Sequence, residues 1–195
     1  RFTLDVAKVL LDIAPADGSP LSISTCPLGY GSAALQDPAS HQHLQLVAAA
    51  FAALAEASGR ALVLAIEPEP DGALERVSDL ANWLQQSFTP TQREFLGICW
   101  DLCHSAVVGE TTAVVLRSLA STGVKLAKIQ ISSALELLAP MTPTGRQRFQ
   151  QLTEDAYLHQ VRGVAATGAP FAFADMTDFL ASADSHSCHQ VRVHC

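Results

Sequence analysis

Apolar positions along this chain switch between two periods. Phe2, Val6, Val9, Leu10 and Ile13 recur at helical spacing, which predicts an amphipathic helix from Arg1 to Ile13. Pro15-Ala16-Asp17-Gly18 reads as a turn. Short apolar runs follow at Leu21 to Cys26, Ala61 to Ile66, Phe95 to Trp100 and Val124 to Ile131, and each predicts a buried strand. Helical patterns lie between them. One is capped by Asp37 or Ser40 and stopped by Gly59, one runs from Leu74 to Phe88, and one runs from Thr111 to Thr122 and is stopped by Gly123. The remainder predicts a polar, partly helical insertion from Pro140 to Leu152 and a short strand from Tyr157 to Val161. A short helix from Asp175 to Ala183 and a last strand from Val191 to Cys195 complete the pattern.

Strands therefore recur roughly every 30 to 40 residues, alternating with helices, which is the rhythm of parallel β/α units with right-handed crossovers. No strand is followed by GxGxxG, which argues against a dinucleotide-binding sheet. Acids recur instead after several different strands. That favours a (β/α)8 TIM barrel, whose active site gathers at the C-terminal strand ends. Six strand-like segments are legible where eight close such a barrel, so the expected fold is a single, incomplete barrel domain over 1–195. Its unpaired apolar edges call for another copy or a completing segment.

Composition narrows the partners. The chain has 195 residues, 49% hydrophobic and only 16% charged, which describes a buried globular protein rather than a disordered one. A net charge of -7 and the lack of any Lys/Arg-rich run exclude a duplex nucleic-acid partner. No apolar stretch reaches the roughly 18 residues of a membrane span, and no signal-peptide layout is present. The five cysteines form no disulfide framework or redox-motif spacing, and reduced thiols in a cytoplasmic protein are expected.

The chemistry-bearing residues sit just beyond the apolar runs. Glu67 and Glu69 flank Pro68 and point the same way in an extended chain, so one can bind a metal while the other accepts a proton. A solvated acidic loop is the plainer alternative. Asp101 ends a wholly apolar strand, where a carboxylate needs a partner or a metal, or else caps the next helix. His104, in the following turn, is a candidate to shuttle a proton or contact substrate. Lys128 and Gln130 share one strand face, with hydrogen bonding to neighbouring strands or a site role as equal readings. His159 offers a further imidazole, with a surface position as its alternative. His186 and His189 read as exposed loop residues. Oxygen and nitrogen donors of this kind suit a divalent cation.

Four segments in series, LAIEPEP, GICWDLCHSAV, KLAKIQISSAL and YLHQVR, resemble the xylose isomerase-like TIM barrels of the sugar phosphate isomerase/epimerase superfamily. Within it they are most similar to the metabolite-traffic protein EboE group, from about Leu21 to Cys195. The resemblance implies a Mn²⁺, Mg²⁺ or Zn²⁺ ion held by Glu67 and Asp101. Gln130 stands where a histidine ligand is usual, and His159 lies near the next strand end. It also implies a substrate contact at His104, and a chain lacking its first two strands and the end of its last. The expected function is a metal-dependent isomerase or epimerase for a sugar or polyol, with Glu69 or His104 moving a proton at a metal-polarised carbonyl. The alternative is a non-catalytic protein that binds small molecules in metabolite traffic, which the weak amide donor of Gln130 favours.

Overall fold

The computed structural model describes residues 1–25, 28–138, 142–151 and 159–194. In chain order the elements are α1 (Phe2–Ile13), β1 (Leu21–Thr25), a 3-10 turn (Ser32–Gln36), α2 (Pro38–Ser58), β2 (Leu62–Ile66), α3 (Val77–Ser87) and α4 (Pro90–Arg93). There follow β3 (Leu96–Asp101), α5 (Leu102–Val107), α6 (Thr112–Thr122), β4 (Lys125–Gln130), β5 (Leu135–Leu138) and α7 (Pro143–Gln151). The last are β6 (Val161–Ala165), β7 (Pro170–Phe173), α8 (Met176–Ala181), α9 (Asp184–Ser187) and β8 (Cys188–Val193). The chain forms two compact units. One holds Arg1–Asp101 and Thr111–Gln130, the other Leu102–Glu110 and Ile131–Cys195. No described helix is long and apolar enough to cross a membrane.

Local chemistry sets the helix limits of the first unit. Asp37 caps α2 by accepting the Ala39 N–H at 2.9 Å, Pro38 supplies a preset φ in the first turn, and Gly59 ends the helix at φ +68°. Thr111 and Gly123 bracket α6 in the same way. The four strands pair in parallel in the order β1-β2-β3-β4. Strands added in sequence by right-handed crossovers leave their helices on one face. β2 and β3 are buried along their whole length. On one face they present Leu62, Leu64, Ile66, Leu96, Ile98 and Trp100, while α2 and α3 bury Phe51, Leu80 and Leu84 in the same core. The opposite face alternates to small or polar residues, Ser22 and Ser24 opposite Val63 and Ala65, with Gly97 and Cys99 beyond. The sheet is curled about that second face. Lys128 Nζ on β4 reaches Ser24 Oγ on β1 at 2.8 Å, although two strands separate them in the pairing order.

The closed or broken (β/α)8 barrel is overturned. Among the described residues only four strands are parallel, and the strands after Gln130 form a separate antiparallel sheet in the order β5-β8-β6-β7. The segments read as further barrel strands near Val161 and Val191 are β6 and β8, which run antiparallel to each other. Apolar runs of four to six residues do not encode direction. The connection lengths do, because the short link from Ala165 to Pro170 leaves room only for a hairpin. The sequence reading missed β5 and β7. β7 opens on Pro170, which cannot donate to a ladder, and it lies at the sheet edge, where a proline is tolerated. Cys26, Pro140, Leu152, Tyr157, Leu158 and Cys195, all limits or members of expected elements, lie outside the described residues.

The second unit has its own core of Phe149, Val161, Met176, Phe179, Leu180, Cys188, Val191 and Val193. Phe171 stacks on Phe179 with ring centroids 5.6 Å apart, and Phe173 closes the cluster at 5.7 Å from Phe179. Gly163 on β6 makes room for it. A Cβ there would lie 2.2 Å from Phe171 Cζ and 2.6 Å from the Gln190 carbonyl oxygen. The second of these atoms is backbone and cannot swing away. Gly163→Ala is expected to destabilise the protein by about 1–3 kcal/mol through overpacking. Denaturant unfolding is the check, with the Phe171→Ala background expected to recover part of the loss.

Candidate functional site at the parallel strand ends

Glu67 follows the last residue of β2, Asp101 ends β3 and Gln130 ends β4, so the parallel sheet delivers all three to the same end. The carboxylate oxygens of Glu67 and Asp101 lie within 4.8 Å of one another. Gln130 Nε2 sits between them, donating to Glu67 Oε1 at 2.7 Å and to Asp101 Oδ2 at 2.8 Å. Asp101 is buried and Glu67 half-buried. Two carboxylates this close repel, and each also needs a replacement for lost water. The two N–H bonds of one amide meet both requirements.

A register shift makes the arrangement possible. β3 and β4 pair Gly97 with Lys125 and Ile98 with Leu126, and then Cys99 with Lys128 and Asp101 with Gln130. Ala127 is the extra residue of a β-bulge. Unbroken alternation would have set Ala127 beside Cys99 and Ile129 beside Asp101. With the bulge, Lys128 and Gln130 share the face of Cys99 and Asp101. Of the two readings that the sequence left open for this pair, hydrogen bonding to neighbouring strands is the one observed.

The floor next to the acids is formed by Cys99 and Lys128. Burial pushes the Cys99 thiol up to about 12, and the Glu67 charge adds to this, both directly and by accepting a hydrogen bond from the thiol. The Lys128 charge opposes the shift and Asp101 reinforces it. The thiol therefore stays protonated and acts as a donor to Glu67, not as a nucleophile. Glu69 is half-buried, its main chain tied to Leu74 and Gly72. Its carboxylate has no hydrogen bond or ion pair among the described residues, which leaves it available to take a proton. A separate cleft of about 370 Å³ lies between the loops after β1 and β2, lined by Tyr30, Asp71, Glu75 and Asp79, and includes none of the three strand-end residues.

The candidate histidines, His104 and His159, belong to the second unit. His104 is buried in α5, and its Nε2 lies 3.2 Å from Nε2 of His194, with the rings edge-on at 4.8 Å. One imidazole donates and the other accepts, according to the tautomers present. His159 is buried ahead of β6, and its backbone N–H donates to Asp175 Oδ2 at 3.2 Å. Burial would raise the Asp175 carboxyl, but hydrogen bonds from the Thr177 and His159 backbones outweigh it and hold the group below the usual range. The sequence reading gave the Cys99 thiol no part in the site, although it lies two residues from Asp101 on one strand, and it named no specific partner for Lys128 or His194.

Glu67, Asp101 and Gln130 form a donor set that fits a hard divalent cation. Rotating the Gln130 amide about its last bond replaces the nitrogen by Oε1, giving one amide and two carboxylate oxygens around a common point. In the orientation seen here, the amide takes the place that a cation would occupy.

No protein-family model, curated protein or solved structure matches this chain. The resemblance to the xylose isomerase-like barrels thus rests on four short segments alone, and the four-stranded parallel sheet with its separate antiparallel partner overturns it.

The Cys99 environment has a measurable consequence. Its folded-state pKa lies above that of an unfolded cysteine, about 8.5. The stability that this contributes is complete below that pH and is lost as pH rises towards 12. Unfolding followed from pH 8 to 10.5 should show stability falling, and Cys99→Ala should flatten the fall. An unchanged slope in the variant would place the alkaline loss elsewhere.

Proposed function

We propose that this protein is a cation-dependent enzyme that moves a proton in a small hydroxylated carbonyl compound, an isomerase or epimerase of the sugar or polyol type. The observation that carries this reading is the convergence of Glu67, Asp101 and Gln130 at one end of the parallel sheet. A bound Mn²⁺ or Mg²⁺ would polarise the carbonyl and acidify the adjacent carbon. Glu67 and Asp101 would hold the ion, with Gln130 contributing through its Oε1. Glu69, two residues beyond Glu67 on the same extended segment, accepts the proton. The Cys99 thiol keeps Glu67 oriented without competing as a nucleophile.

A second reading has its own support. The amide already donates a hydrogen bond to each of the two acids, so both carboxylates have a partner without an ion. That arrangement suits a protein that binds a polyhydroxylated ligand and performs no chemistry on it.

Calorimetry with Mn²⁺ separates the two. The enzyme reading expects saturable binding of one equivalent, weakened about tenfold or more in Asp101→Asn, because the variant keeps the shape and loses a charge that a hard cation requires. Its melting temperature should stay close to that of the wild type. No heat of binding with Mn²⁺ or Mg²⁺, together with retained binding of a polyol, favours the binding protein.

The proton step has a separate check. Incubation with a panel of aldoses and ketoses in D₂O should place deuterium on the carbon beside the carbonyl. Glu69→Gln should lower that exchange by about 10²-fold or more, the usual contribution of a positioned base, while leaving Mn²⁺ affinity unchanged. Equal exchange in the variant removes Glu69 from the reaction.

A further inference from the structure

On the curled face of the first unit, Lys128 ties β4 to β1 through one hydrogen bond and leaves its other donors unused. It is half-buried, and its ammonium donates to Ser24 Oγ at 2.8 Å. Among the described residues it has no other hydrogen bond and no ion pair, so two of its three N–H donors remain unused. Burying a charge beside a single hydroxyl is unfavourable unless another group completes its shell. The carboxylates of the same face do not do so, since Gln130 and Cys99 hold them. The β4 bulge nevertheless turns Lys128 towards this face at the cost of a regular ladder. The neighbouring floor carries Ser22, Ser24, Val63, Ala65 and Gly97, none of them charged.

We infer that Lys128 and Ser24 form an anion subsite that takes the carboxylate of a small hydroxy or oxo acid, whose hydroxyl or carbonyl end lies at Glu67, Asp101 and Gln130. This rests on the proposed function and narrows its substrate class. The donor count fits a carboxylate, because the ammonium and the Ser24 hydroxyl provide one donor for each oxygen. A phosphate has three oxygens to satisfy and is usually met by backbone N–H groups at a helix start. The spacing fits as well. Lys128 and Gln130 are two residues apart on one strand, roughly 7 Å, which is the scale of a chain of three to five carbons. Like-signed charges are also kept apart. Lys125, at the start of β4 on the same face, is already held by Glu94, so the substrate carboxylate is drawn to Lys128 and away from the two acids, which fixes the direction in which the molecule lies.

The test reads Lys128 directly. Protein carrying ¹³C at lysine Cε is titrated with acetate, glycolate, D-glycerate and inorganic phosphate, with and without Mn²⁺. Lys128→Met assigns the signal, and Ser24→Ala serves as a milder variant if the first melts early. The carboxylates are expected to shift the Lys128 signal saturably. Glycerate with Mn²⁺ should bind about tenfold or more tighter than acetate, and Ser24→Ala should weaken all of them by about tenfold, the loss of one hydrogen bond to a charged group. No saturable shift with any carboxylate overturns the subsite, and a shift with phosphate alone overturns the assignment to carboxylates. Acetate has no second polar end and needs no cation. Acetate binding without Mn²⁺ binding therefore refutes the proposed function and leaves the subsite standing, whereas Mn²⁺ binding without any carboxylate shift does the reverse.

Discussion

The bulge at Ala127 is the constraint on which the strand-end site depends. β4 enters the sheet with Lys125 opposite Gly97 and leaves it with Gln130 opposite Asp101, and those two pairings are incompatible without one extra residue. A strand of strict period two would carry Ile129 to the acids and turn Gln130 away to the other face. Glu67 and Asp101 would then stand within 4.8 Å of each other with no amide between them. The irregularity therefore fixes both the geometry and the hydrogen bonding of this end of the sheet, as bulges near functional sites commonly do.

The rest of the curled face is shaped to allow this. Serine, alanine, glycine and cysteine occupy its inward positions, so the sheet can bend until β4 touches β1 through Lys128 and Ser24. A Cβ on Gly97 would lie 2.9 Å from the Lys125 carbonyl oxygen and 3.1 Å from both Ala127 and Val63. Close approach of the backbones at the bulge thus depends on that glycine. The large aliphatic residues are confined to the helix-covered face, where their burial drives folding. One face supplies stability and the other carries the polar groups.

The second unit reaches stability by a different route. Its antiparallel strands pack a phenylalanine cluster under α8, and Asp175 links two of its parts. The carboxylate accepts from Thr177 at the start of α8 and from His159 ahead of β6. The His104–His194 pair joins α5 to the segment after β8. Arg192 reinforces that connection, with one nitrogen on the Ala106 carbonyl oxygen at 2.9 Å and another on Glu136 at 2.7 Å. This unit is held by side-chain bonds between distant segments, whereas the first relies on consecutive β/α packing.

Local signals determined much of the first unit. Asp37, Gly59, Thr111 and Gly123 mark helix ends because capping is a property of a few adjacent residues. β2 and β3 are legible because burial on both faces leaves unbroken apolar runs, and β1 and β4 because apolar and polar residues alternate along them. For the same reason Glu67 and Asp101 stand out as the first polar residues after those runs. Strand direction, strand partner and register were decided only by tertiary structure. The segments at Val161 and Val191 carry the same apolar pattern whether they extend a parallel barrel or pair antiparallel, and the barrel expectation failed there. The bulge at Ala127 is equally silent in KLAKIQI, since it exists only relative to β3. Sequence set which residues would be buried or polar, because that follows from side-chain chemistry and spacing. Which of them meet depends on contacts between residues far apart in the chain, and those are fixed only when the strands pair.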